Sequence, residues 1–213
     1  MSVQFEDTTS NLSDTLQHVA TTLQPEHKVS LRTLLHLMGE QGMLLFCLFL
    51  TVPFLLPVSI PGVSTVFGVA IVLIGVGVML NRIPWLPKVV LERTVEAAHL
   101  IPALQKASHA LSRVERLIRP RWLMLTHGAT VNRFNGFMLI FAGLLLMAPF
   151  GLVPFSNTLP ALAILGLAIG ILQRDGLLVI LGHLMVLATV IYFGVLAAGL
   201  VLAGQGLHSL IGS

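Results

Sequence analysis

Apolar residues dominate this chain in blocks, and the blocks are broken in an unusual way. Continuous apolar stretches run over about 42–60, 62–81, 136–155, 159–173 and 177–203. A helix crossing a hydrocarbon core of about 30 Å needs roughly 20 residues. The last stretch exceeds that, 42–60 and 136–155 reach it only by counting across prolines, and 159–173 falls short. The stretch TVPFLLPVSIPG, residues 51–62, carries Pro53, Pro57 and Pro61, each of which removes a helix hydrogen bond where lipid offers no replacement. Ahead of the blocks, 13–23 and 30–39 have the 3,4 spacing of short amphipathic helices and are expected at the membrane surface. In the second, Ser30 is a candidate N-cap, Leu31, Leu34, Leu35 and Met38 form one stripe, and Gly39 ends it.

The polar interval between the blocks, 82–135, holds Arg82, Lys88, Arg93, Lys106, Arg113, Arg116, Arg119, Arg121 and Arg133, nine of the chain's 12 basic residues. Such a bias places a loop in the cytoplasm. Within it Leu104, Ala107, Leu111, Val114 and Ile118 share one face and Lys106, Arg113 and Arg116 lie off it. This predicts a basic amphipathic helix over 104–119, resting on anionic headgroups or pairing with another subunit.

The blocks also resemble each other. GMLLFCLFLTVPFLLPVSIPG (42–62) and GFMLIFAGLLLMAPFGLVPFSNTLP (136–160) each open with Gly, reach Pro-Phe, meet a second proline, and then a polar cluster before a third. The segments that follow, IVLIGVGVMLNR (71–82) and AILGLAIGILQR (163–174), end in an amide residue and Arg. This pattern points to an internal duplication. The expected fold is an all-α integral membrane protein with two pseudo-repeats of Pro-broken or re-entrant hairpins, a C-terminal spanning helix and amphipathic surface helices. The corresponding segments are 1–40 (cytoplasmic or interfacial), 41–82 (first membrane repeat), 83–135 (basic, cytoplasmic), 136–175 (second membrane repeat) and 176–213 (last spanning helix and tail). Parallel and inverted arrangements of the repeats both remain open.

Composition agrees with the pattern. Of 213 residues 55% are hydrophobic and only 10% charged, and the mean hydropathy is +0.92, beyond what a soluble domain can bury. The pI of about 9.6 follows from membrane topology, so no nucleic-acid partner is expected. The acidic N-terminal stretch, with Glu6, Asp7 and Asp14, is not a signal peptide. Cys47, the one cysteine, lies among Leu and Phe and reads as a packed thiol.

The motifs LLHLMGEQGMLLF, PFLLPVSIPGVSTVFG, NRIPWLP, RPRW and QRDG occur in this order across residues 30–200. In this they resemble the ExoD exopolysaccharide-synthesis family of bacterial inner-membrane proteins. One departure is Asn81 before Arg82, where the family pattern has Gly. The resemblance implies a role in producing or exporting surface polysaccharide, and supplies no reaction.

Candidate chemistry is sparse. The eight histidines are scattered without metal-binding spacing, and no acidic pair suits a glycosyltransferase, so neither an enzyme, a metal nor a cofactor is expected. Paired broken segments point to a transporter's central site. Ser59, Ser64, Thr65, Ser156, Asn157 and Thr158 are therefore candidate contacts for a small polar or charged solute such as an amino acid. Arg82, Arg174, Asp175 and His183 are candidate coupling or gating groups, since ionisable residues near hydrocarbon are costly. Trp85 and Trp122 read as interfacial anchors. Glycines such as Gly68, Gly75, Gly143, Gly166 and Gly170 favour a compact bundle or a homodimer. The competing reading is a non-catalytic accessory protein acting on the exopolysaccharide machinery. Membrane lipids are partners under either.

Overall fold

The structure is a computed structural model that describes residues 12–23, 28–55, 62–81, 92, 94–115, 121–148 and 153–211. Pro57, Ser59, Pro61, Arg82, Trp85, Arg116 and Arg119 lie outside the described residues. Seven α-helices and two three-residue strands appear among those described: α1 (Leu12–Thr22), β1 (Lys28–Ser30), α2 (Leu31–Thr51), α3 (Val63–Leu80), β2 (Thr94–Glu96), α4 (Ala97–Glu115), α5 (Ala129–Leu146), α6 (Thr158–Leu172) and α7 (Gly176–Ile211). Four helical segments among the described residues are long and apolar enough to cross a membrane: Leu37–Leu55, Val63–Leu80, Ala129–Leu146 and Gly176–Ala203. The chain is an all-α, multi-pass membrane protein.

The start of α2 follows its local sequence. Ser30 sits in extended conformation and its hydroxyl accepts a hydrogen bond from Thr33 N at 3.2 Å, the N-cap arrangement that satisfies an otherwise orphan amide. Gly39 breaks the helix at φ 57°, ψ −133°, a conformation that only glycine adopts cheaply. The short helix that begins at Ser30 thus ends at Gly39, as its sequence indicates. Beyond the Gly39 break a second helical piece forms the first span, whose apolar residues Met43, Leu44, Cys47 and Leu50 are buried. Pro53 falls in a 3-10 turn, Val52–Leu55, at the far end of that span, where a lost helix hydrogen bond matters least.

Helices α2 and α3 form one hairpin and α5 and α6 another, and α3 lies against α5 while α6 lies against α7 and α2. Glycines set the close contacts. An added Cβ on Gly136 would stand 2.6 Å from Met79 N, and one on Gly75 would stand 3.2 Å from Gly136 O. Gly143 faces Gly68 in the same way, so α3 and α5 run antiparallel with backbones nearly touching, as small residues permit in lipid. Gly166 and Gly170 do the same for α6 against Gly182 and Val179 of α7. At 15 residues α6 is shorter than a full span. Its Ala161, Ala163, Ile164, Leu167 and Ala168 are nonetheless fully buried among its neighbours.

Three links gather helix ends at one level, here called the near end. Asn132 Nδ2 donates to Val78 O at 3.5 Å, joining the start of α5 to the end of α3. Gly176 N donates to Arg121 O at 2.7 Å, bringing the start of α7 to the segment before α5. The antiparallel β1–β2 pair, with Val29 opposite Val95, ties the start of α2 to that of α4. Both hairpins therefore extend from the near end in the same direction.

The amphipathic helices differ from expectation in what covers them. The α4 helix is described over Ala97–Glu115, starting ahead of the expected 104 and with 116–119 outside the described residues, and packs on α1. Leu16, Val19 and Ala20 of α1 and Leu104 of α4 are buried, and Ser108 Oγ of α4 donates to Ser13 O at 2.9 Å. Two helices with complementary apolar faces in one chain meet readily, because their effective concentration is high. Lys106 stays exposed on the outer side of α4.

Candidate functional site

The near end is built by two of the motifs that stood out in the sequence. In RPRW, Arg121 forms a parallel β-bridge with Asp175 of QRDG. Trp122 takes φ 50°, ψ 52°, and Arg174 φ 54°, left-handed conformations that cost a non-glycine residue about 1–2 kcal/mol. The chain tolerates them because the turn between α6 and α7 must pass directly under the 121–122 backbone. An added Cβ on Gly176 would stand 2.8 Å from Trp122 O and 2.9 Å from Trp122 Cβ, so this glycine is required by close approach.

Asp175, 4% exposed, lies at the centre of this clasp. Its Oδ1 accepts a hydrogen bond from Leu177 N at 2.9 Å, capping α7, while its own N donates to Gly170 O at 2.9 Å. The carboxylate therefore meets the positive end of the helix dipole and an orphan amide together. Arg174 turns elsewhere: its Nη1 lies 3.4 Å from His127 Nε2. Asn135, 2% exposed, donates to Leu125 O at 2.9 Å and so holds the 3-10 turn Leu123–Leu125 onto α5. Sequence reading missed Asn135 and His127. An amide directly ahead of an apolar block was the available signal for the first, because buried amides need partners.

His183 sits two turns into α7. Its Nδ1 lies 2.7 Å from Val179 O and its ring stacks on Phe134 of α5, with centroids 5.3 Å apart and planes at 5°. Nε2 is buried without a hydrogen-bond partner. Because a carbonyl can only accept, Nδ1 is the donor in this contact.

The polar tips are at the opposite end. Ser64 is half-buried and Thr65 exposed in the first turn of α3, while Ser156 and Asn157 are buried and Thr158 half-buried at the start of α6. The structure gathers Ser156, Asn157 and Thr158 on one turn. It places Ser64 and Thr65 on α3, whose main neighbours are α5 and α2 rather than α6. Ser156 Oγ is buried with no hydrogen-bond partner among the described residues. Nearby, Tyr192 of α7 donates its hydroxyl to Pro154 O at 2.7 Å. Among the described residues no group of three or more His, Cys, Asp or Glu could hold a metal ion.

A family model described as "Exopolysaccharide synthesis, ExoD" matches residues 12–195. The chain belongs to the ExoD family. It is 51% identical over 207 residues, 97% of its own length and 86% of the relative's, to Protein ExoD of Rhizobium meliloti (strain 1021). It is 28% identical over 174 residues, 78% of its length and 81% of the relative's, to an uncharacterized protein of Synechocystis sp.. No solved structure matches it. The resemblance carried by the five ordered motifs is thus borne out. The departure at position 81, where the resemblance led one to expect Gly, also has a physical equivalent, because Asn81 closes α3 in the left-handed conformation, φ 50°, ψ 48°. Asparagine is the residue that best replaces glycine there.

Proposed function

We propose that the chain is a non-catalytic accessory protein of exopolysaccharide synthesis in the bacterial inner membrane, acting by contact between its cytoplasmic near end and the polysaccharide machinery. One observation carries this reading. At the near end α1 packs on α4 and α2, the strand pair ties the start of α2 to that of α4, the Arg121–Asp175 clasp joins the start of α7 to the segment before α5, and the buried polar groups Ser108 and Asp175 hold elements together. A surface of that kind suits recognition. The basic bias of 83–135 supports its cytoplasmic placement, and family membership supports the link to exopolysaccharide. The shared direction of the two hairpins favours a parallel duplication. The exposed basic side of α4, carrying Lys106, is the contact surface in this reading. Charge reversal at Lys106 and Arg113 lowers secreted polysaccharide at unchanged protein level, while Asn157→Ala and Ser59→Ala do not. Full yield from the α4 variants would sink the proposal.

A second reading, passage of a small polar or charged solute along the broken-helix tips, is favoured by Ser156. A buried hydroxyl without a partner costs about 1–3 kcal/mol, and a solute contacting Ser156, Asn157 and Thr158 would relieve that. Asp175 and His183, with Arg82 and Arg174, are the coupling or gating groups in this reading, and a homodimer would suit either role. Loss of flux of an identified solute in Ser156→Ala, with polysaccharide machinery absent, would favour it over the accessory role.

A further inference from the structure

The apolar span of α7, Gly176–Ala203, has 28 residues, against 18 in each of Val63–Leu80 and Ala129–Leu146, and is the least buried of the four. At 1.5 Å per residue the shorter spans rise about 27 Å, close to a hydrocarbon core of about 30 Å, while α7 rises about 42 Å. Two hydrogen bonds mark its levels. Gly176 N donates to Arg121 O at the near end, and the Tyr192 hydroxyl donates to Pro154 O just ahead of α6 at the far end. Roughly three turns of apolar helix therefore continue past the far end of the bundle. Gly170 against Val179 and Gly166 against Gly182 fix α7 on α6, so α7 cannot take up its excess length by tilting alone.

The uncovered side of α7 has a definite spacing. Val179, Val186 and Phe193, seven apart, are buried toward the bundle. Two positions ahead of each, about 200° round the helix, Leu177, Leu184 and Ile191 stand exposed. Each is followed four positions on by another apolar residue, and the same steps of four and three continue through Val195 to Leu202, both 67% exposed. Alternating steps of four and three are the spacing of a seam along which two helices supercoil. No Asp, Glu, Lys or Arg interrupts it between 176 and 211.

We propose that α7 pairs along this seam with α7 of a second copy of the chain, the two helices running parallel about a two-fold axis normal to the membrane. Acyl chains can cover the stripe inside the hydrocarbon core, but not the turns that pass beyond it. A helix fits there because the spacing is that of helix on helix. A second copy fits because it brings the same overhang at the same height and in the same direction, so Leu177 meets its counterpart at the near end and Leu202 meets its counterpart beyond the bundle. Gly194 and Gly199 lie about 100° round the helix from Val195 and Ala198, so alanine at either stands beside the contact rather than within it. The pairing goes beyond the accessory role and involves neither the α4 surface nor the polar tips.

Cysteine cross-linking tests it. Full-length protein carrying Cys47→Ala and one of Val195→Cys, Leu202→Cys or Leu200→Cys is oxidised in native membranes and in phosphatidylcholine–phosphatidylglycerol vesicles. Leu200 is 74% exposed but lies about 200° from Leu202, so it reports collisions without the seam. The expected result is disulfide-linked dimer of twice the chain's mass at Val195→Cys and Leu202→Cys in both membranes, and its loss at Leu200→Cys. Energy transfer between donor- and acceptor-labelled copies, diluted with added lipid, is expected to shift to higher protein density when Leu184→Ala and Ile191→Ala are combined. Both residues are exposed and alanine favours helix, so this variant keeps its fold. Equal linking at all three positions, monomer throughout, as lipid alone on the stripe would give, or a linked product of another mass found only in native membranes would each overturn the assignment. Energy transfer unchanged in the double variant would overturn it too.

Discussion

At Asp175 one residue serves two readings, and its chemistry separates them. As a helix cap it needs only a side-chain oxygen facing Leu177 N, and asparagine provides that as well as aspartate does. As a coupling group it needs an ionisable carboxyl. Asp175→Asn is expected to lose only the charge–dipole part of the cap, about 0.3–1 kcal/mol, and to leave polysaccharide output intact. Asp175→Ala is expected to cost about 1 kcal/mol of stability. A stable Asp175→Asn protein that has lost function would return the charge to the mechanism. Asn81 supports a parallel test. Its left-handed backbone accepts glycine without loss, whereas Asn81→Val is expected to destabilise by about 1–2 kcal/mol, measured by thermal unfolding in detergent.

Among elements, the glycines divide into those that touch another backbone and those that do not. Gly136 against Met79 and Gly170 against Val179 leave no room for a side chain. Gly136→Val and Gly170→Val are each expected to push helices apart and abolish accumulation of folded protein. An added Cβ at Gly194 or Gly199 meets nothing within 4 Å. Alanine there is expected to be neutral or to stabilise by up to about 1 kcal/mol through helix propensity, read as equal or raised thermal midpoints. If Gly194→Ala or Gly199→Ala instead disrupted the protein, a partner would be seated on that face of α7. The sequence made the local part of this architecture readable. The Ser30 cap, the Gly39 break, the apolar spans and the closing residue of α3 each depend on a few adjacent residues. It did not reveal that α1 covers α4, because an amphipathic face states that it must be buried and not against what. Strands of three residues are too short to show an alternating pattern, so β1 and β2 were invisible. The Arg121–Asp175 bridge joins positions far apart in sequence, and although both motifs stood out, their adjacency could only come from the fold.

For the whole molecule, the near-end links order the helices along one axis, and that order can be checked without knowing the partner. Cys47 is buried and the only cysteine, so Cys47→Ala provides a background in which single cysteines report location. Near-end positions Lys106 and Arg121 and far-end positions Thr65 and Phe155 are exposed. If 83–135 is cytoplasmic, as the positive-inside bias requires, a membrane-impermeant thiol reagent applied to intact cells labels Thr65→Cys and Phe155→Cys only. Lys106→Cys and Arg121→Cys then react only after the cytoplasmic side is opened. Opposite labelling would invert the protein and remove the near end from contact with cytoplasmic machinery. Ser156 supplies the sharper case, being buried at the start of α6 with its hydroxyl unpartnered. Under the accessory role the packed tip keeps Ser156→Cys unreactive from both sides. Under the transport reading, water reaches that turn in at least one conformation, and labelling from the cytoplasm, from outside, or from each in turn would show it. Because a backbone break at membrane depth persists only where protein buries it or water reaches it, this one position separates a packed terminal turn from a water-lined path.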